Sequence, residues 1–173
     1  LLGVAILLPA VAGSAMDDTT IRTAVTEWLS DATAAEAAHG HISTWATGGV
    51  TDMSYLFSPC DWSSKCNSAA ASFNEDIGAW DTSGVTEMSG MFDGVSSFNQ
   101  DIDAWDTSGV TAMCGMFQQA SAFNGDIGGW AVHNVVDMWQ MFRYASAFNQ
   151  DISDWQVDKV VDMGAMFLGA SAF

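Results

Sequence analysis

Apolar positions return along this chain with a period of 25 residues: TSGVTEMSGMFDGVSSFNQDIDAWD (82–106), TSGVTAMCGMFQQASAFNGDIGGWA (107–131) and VHNVVDMWQMFRYASAFNQDISDWQ (132–156), with VDKVVDMGAMFLGASAF (157–173) opening a further copy. Val85, Met88, Met91-Phe92, Phe98, Ile102 and Trp105 recur in phase through the later copies. Upstream, Val50, Met53 and Phe57 lead one copy that Phe73, Ile77 and Trp80 finish, while Ile42 and Trp45 mark a degenerate earlier one. A fixed period of this length predicts a solenoid. One such unit cannot bury its own apolar face, so each coil must stack on the next. Within a copy, V-T-x-M-x-x-M-F spaces its apolar residues as a short helical turn does. D-I-x-x-W-D is short and bounded by turn formers, so it reads as one or two short strands, with Asp81 and Asp106 placed to make Asx-turns before Thr82-Ser83-Gly84 and Thr107-Ser108-Gly109. The Met, Phe and Trp stripes are therefore core rungs rather than a cofactor box.

Residues 17–40 differ in period. Ile21, Ala24/Val25, Trp28/Leu29 and Ala32 recur at helical spacing behind Asp18 or Thr19 as N-cap, and a second Ala-rich stretch ends on Gly40. This is the N-terminal helical cap that a solenoid needs over its first rung. Before it, LLGVAILLPAVAGSA (1–15) is an apolar run ending in small residues, so residues 1–16 read as a signal-peptide-like segment or, if retained, an anchor. The solenoid then occupies 41–173, with ten residues inserted in 58–71. Phe173 stands where the next FNxDI is due, so further repeats or a closing element are expected to follow.

Charge narrows the partners. Four Lys+Arg stand against 21 Asp+Glu, a net charge of −17, which repels phosphate backbones and excludes nucleic acid. Basic proteins and metal ions are the favoured electrostatic partners, and membrane attachment is open only through residues 1–15.

Candidate chemistry is sparse. Cys60 and Cys66 sit in the insertion, where an oxidising compartment favours a disulfide closing the loop; a metal site on the pair lacks nearby His or Cys ligands. Cys114 takes the place of Ser54 and Ser89, as a small buried residue does. The recurring Asn74, Asn99, Asn124 and Asn149 suit a ladder bonding neighbouring backbones. Asp76, Asp101, Asp126 and Asp151 allow two readings, solvated turn residues or a carboxylate column collecting calcium. His39, His41 and His133 do not cluster, and no nucleophile elbow, phosphate loop or HExxH occurs, so a non-enzymatic role is expected.

GVTEMSGMFDGVSSFNQDIDAWDTSGVT (84–111) resembles the repeat of the BspA-like surface proteins, leucine-rich-repeat relatives also described as a Mycoplasma-type lipoprotein domain of unknown function. The resemblance covers about residues 41–173 and extends to the preceding helix IRTAVTEWLSDATAA. It implies a leucine-rich-repeat-like solenoid, secretion or surface display, and adhesion or binding to other proteins, with no catalytic residue carried over. The chain departs from the pattern at the Cys60/Cys66 insertion and in losing the DTS corner after Trp130. The candidate interaction stripe lies where copies differ: Asp93, Gln118 and Gln119, Arg143 and Tyr144, and Trp139, whose sequence context favours core ahead of contact anchor. The rival expectation is a structural subunit of a membrane-associated assembly held by the leader; a sugar-binding solenoid would need an aromatic row facing solvent.

Overall fold

In the computed structural model the described residues are 13–59 and 68–173, so Cys60, Cys66 and the proposed bridge lie outside them, as does most of the leader. The chain opens with strand β1 (Ala15–Asp17), followed by helices α1 (Thr20–Ser30) and α2 (Ala32–His39), a 3₁₀ turn at Ile42–Thr44, strand β2 (Ala46–Gly49) and a second 3₁₀ turn at Ser68–Ser72. β1 lies parallel to β2, pairing Ala15 with Ala46 and Asp17 with Gly49. β1 thus begins inside the segment that the sequence assigns to the leader. Met16 is buried, Ser14 accepts a bond from Ala46 N–H, and a side chain at Gly13 would run into the Thr44 carbonyl.

α1 buries Ile21, Ala24, Val25 and Trp28, the stripe its period predicts. Its cap is different. Thr19 has helical φ/ψ and makes no side-chain cap bond; Asp17 accepts instead from the Thr19 and Thr20 N–H groups at 3.0 and 2.8 Å. This frees Asp18 to clamp the first full coil, accepting from Thr51 N–H at 2.6 Å and Asp52 N–H at 3.0 Å. Asp31 caps α2 through Ala34 N–H, and Gly40 ends it at φ +78°. Arg22 fastens α1 to the same coil, donating to Ser54 O at 2.7 Å and pairing with the Asp52 carboxylate at 3.1 Å.

Beyond the cap, the 25-residue units stack in register. Isolated parallel bridges join Asp52, Glu87, Ala112, Asp137 and Asp162 in sequence. Phe57, Phe92, Phe117, Phe142 and Phe167 stack with ring centroids 5.6 to 5.7 Å apart, and Phe73, Phe98, Phe123, Phe148 and Phe173 follow at 5.7 to 6.1 Å. Trp80, Trp105, Trp130 and Trp155 are buried, and each donates its indole N–H to an isoleucine carbonyl one coil back, at 2.9 to 3.2 Å. The asparagines form the expected ladder: Asn99, Asn124 and Asn149 N–H each donate to the preceding Asn Oδ1 at 2.8 to 2.9 Å. Asx-turns form at Asp81 and Asp106, each accepting from the serine N–H two residues on.

Neither the helical turn expected in V-T-x-M-x-x-M-F nor the strands expected in D-I-x-x-W-D form; the described coils after Phe73 consist of successive turns joined by single bridging residues. For the helical turn the cause is backbone handedness. Tyr55, Gly90, Gly115, Gln140 and Ala165 occupy one repeat position at φ between +52° and +61°, and Gly94, Gln119, Tyr144 and Gly169 another at +58° to +77°. A left-handed residue between the two methionines interrupts a right-handed helix. Alternate N–H groups are thereby aimed at the next coil: Gly90, Phe92 and Gly94 donate to Cys114, Met116 and Gln118 carbonyls at 2.8 to 2.9 Å.

Two stability outcomes follow. Gln140→Gly relieves a non-glycine left-handed residue and is expected to stabilise by about 0.5–1 kcal/mol. Phe117→Ala removes a fully buried ring in mid-stack and is expected to cost about 3–5 kcal/mol. Urea midpoints with slopes check both; an unchanged or lowered midpoint for Gln140→Gly contradicts the handedness argument.

Candidate interaction flank

Within each coil the buried Met and Phe residues point inward, which leaves the intervening positions on an outer flank. The register places equivalent residues in columns: Asp52, Glu87, Ala112, Asp137, Asp162; then Ser54, Ser89, Cys114, Trp139, Gly164; then Ser58, Asp93, Gln118, Arg143, Leu168; and beside it Pro59, Gly94, Gln119, Tyr144, Gly169. Asp93, Gln118 and Arg143 therefore share one column, Gln119 and Tyr144 the next. The electrostatic environment of Cys114 ties the columns to one flank, because Asp137, Glu87, Asp162 and Asp93 all act on its thiol.

The middle column is partly buried. Asp93 accepts from Gln118 Nε2 at 3.1 Å, and burial pushes its carboxyl above the usual range, opposed by that bond and the Arg143 charge. Gln118 Oε1 and Arg143 Nε are buried with no hydrogen-bond partner. The Arg143 guanidinium lies 4.6 Å from the Tyr144 ring centre, a cation–π contact. Gln119 is exposed at φ +58°. Tyr144 is 45 % exposed, its ring laid over Gly169, where any Cβ would collide with it.

Trp139 corrects the core reading: it is 42 % exposed. The adjoining positions explain this. Asp137 Oδ1 accepts from the Trp139 backbone N–H at 2.8 Å and Asp162 Oδ1 from the Gly164 backbone N–H at 2.7 Å, so one carboxylate is tied to the Trp139 backbone and the other to the glycine that the indole covers. A Cβ on Gly164 would lie 2.9 Å from Trp139 Cδ1 and 3.0 Å from Asp162 Oδ1, so the ring rests over a coil position that lacks a side chain. These carboxylates are absent from the sequence-derived stripe, although the acidic residue before the first Met in every copy but the one with Ala112 is their signal.

The other aspartate column bonds locally. Asp76, Asp126 and Asp151 accept from the N–H two residues on at 3.0 Å, and Asp101 at 3.3 Å. Asp101 also raises the Asp103 carboxyl above its usual range. Among the described residues no group of three or more His, Cys, Asp or Glu is arranged to hold a metal ion, and no helix is long and apolar enough to cross a membrane.

Cys114 is held neutral. Burial, followed by the surrounding carboxylates, pushes its thiol from 9.0 up to about 11. Since the folded value is the higher one, this contribution to stability is complete below about pH 9 and is lost as pH rises through about 11. In a Cys60→Ser, Cys66→Ser background, iodoacetamide is expected to label Cys114 more slowly in the folded chain than in urea at neutral pH. Equal rates would contradict the assigned environment.

No curated protein and no solved structure matches the chain. A family match covers residues 23–62 and 60–173, which takes in most of the cap and the whole stack. The chain accordingly belongs to the family described as Mycoplasma protein of unknown function, DUF285.

Proposed function

We propose that this chain is a non-catalytic protein-interaction scaffold: a leucine-rich-repeat-like solenoid of the BspA-like kind, secreted or displayed at a cell surface, which binds a basic partner through its outer flank. One observation carries the reading. Inward positions are held nearly identical from coil to coil by ring stacking and backbone ladders, while Asp93, Gln118, Gln119, Trp139, Arg143 and Tyr144 vary on a common outer flank. A rigid support with variable outward positions is the arrangement that recognition requires, since ordering cost at the contact surface is small. The exposed Trp139 and Tyr144 and the half-buried Arg143 supply the residue types that anchor interfaces, and a net charge of −17 favours a cationic partner.

The structural-subunit reading has its own support. β1 begins at Ala15, the last residue of the apolar run, so an anchor formed by that run would join the stack with almost no linker. The two readings separate by where the chain touches its neighbours.

Carbodiimide cross-linking of the native chain in its own cells, after mild detergent extraction, is the test. It joins carboxylates to partner lysines, which suits a flank rich in Asp and Glu. Cross-links at Glu87, Asp137 or Asp162 are the expected result. A fixed-stoichiometry membrane complex cross-linked only through residues 13–40 would overturn the scaffold reading in favour of the subunit.

A further inference from the structure

Trp139 is set apart from the other stacked tryptophans. Trp80, Trp105, Trp130 and Trp155 are at most 8 % exposed and donate their indole N–H to the preceding coil. Trp139 is 42 % exposed, lies outside that column, and its indole N–H has no acceptor among the described residues. Its ring rests over Gly164, where the Asp162 carboxylate also lies, and Asp137 accepts from its backbone N–H. An exposed indole presents a negative face, and adjacent carboxylates deepen that potential.

The described residues supply no cation to this face. Arg22 is paired with Asp52, Arg143 lies over Tyr144, and Lys159 donates to Asn134 Oδ1 at 2.7 Å. Every cation of the described residues is thus engaged elsewhere. The Arg143–Tyr144 contact shows the same chemistry satisfied internally a few residues away, whereas the Trp139 ring is left open.

We propose that Trp139, flanked by Asp137 and Asp162, is the seat for a lysine or arginine side chain of a protein partner. This rests on the interaction-scaffold reading of the flank and adds the place and chemistry of the contact. Indole is the strongest of the aromatic side chains for cation–π attraction, and the two carboxylates contribute Coulomb attraction that salt screens.

The intact chain is titrated with a synthetic peptide alternating lysine and glycine, and with a glutamate–glycine control, while indole N–H resonances are followed by NMR. The Trp139 signal is the one lost in Trp139→Ser. That variant places at 139 the residue found at Ser54 and Ser89, so the coil geometry accommodates it. The lysine peptide is expected to shift the Trp139 indole first, and Trp139→Ser to weaken binding about threefold to fivefold, with Trp139→Phe intermediate. Asp137→Asn with Asp162→Asn keeps the turn acceptors yet flattens the salt dependence. Equal affinity for wild type and Trp139→Ser, or shifts spread evenly over the acidic columns, overturns the proposal. Native partner cross-links that persist at the flank in Trp139→Ser, with undiminished yield, overturn it too while leaving the scaffold reading standing.

Discussion

Phe117 touches Phe123 of its own coil at 3.9 Å between ring centroids, Phe92 below at 5.6 Å and Phe142 above at 5.7 Å. That lattice of rings sets the rise of the stack. Fully burying each phenylalanine is worth roughly 1.5–3 kcal/mol, and the offset ring contacts add to it. No single coil can assemble the lattice, because each ring finds half of its cover in a neighbour. Once the rise is set, atoms at equivalent repeat positions fall within hydrogen-bond reach, and the Asn, Trp and backbone ladders follow.

The same register brings like charges together, which the fold must tolerate. At a spacing of about 6 Å in water, two carboxylates repel by roughly 0.7 kcal/mol. Asp81 feels Asp106 in this way, yet its carboxyl is held below the usual range, because the Ser83 hydroxyl and N–H bonds outweigh the repulsion. Asp103 shares a hydrogen bond with Asp101 and is repelled by its charge, which together outweigh the lowering bond to the Ala104 backbone and shift its carboxyl upward. Elsewhere the column is interrupted: Ala112 breaks the bridging acids, and Gln118 with Arg143 follows Asp93. The carboxylates that remain exposed project a field that the chain's own cations do not cancel.

Much of this was legible in the sequence. The period, the inward positions, the buried Trp column, the Asn ladder and the stripe on α1 all follow from the recurrence of residue types. Other features escaped, among them the Asp17 cap of α1 and the turns that stand where D-I-x-x-W-D predicts strands. The coil lacks its helical turn because Gly90 and Gly115 share a left-handed position with Tyr55, Gln140 and Ala165, and the latter three residue types do not advertise it. For Trp139 the sequence leaves core and contact anchor open, with core ahead; the room for its ring is at Gly164 one coil later, a relation between copies rather than within one. For the candidate flank, variability between copies located the stripe, but the carboxylates beside Trp139 were hidden by their regularity.

That relation between copies has a wider consequence. The Tyr55 ring lies where a Cβ on Gly90 would stand, Trp139 stands in the same way to Gly164, and Tyr144 to Gly169. An outward aromatic folds over the next coil and needs a glycine there. Inside the stack rings pile face to face, since the core is open from one rung to the next; on the flank a ring lies across the following rung and occupies its side-chain space. Consecutive aromatics at one of these three outward positions would contend for the same volume. The flank therefore favours isolated aromatics set among carboxylates over an unbroken aromatic row. Such spacing suits discrete side-chain contacts with a protein better than the continuous stacking platform that a bound sugar chain would require.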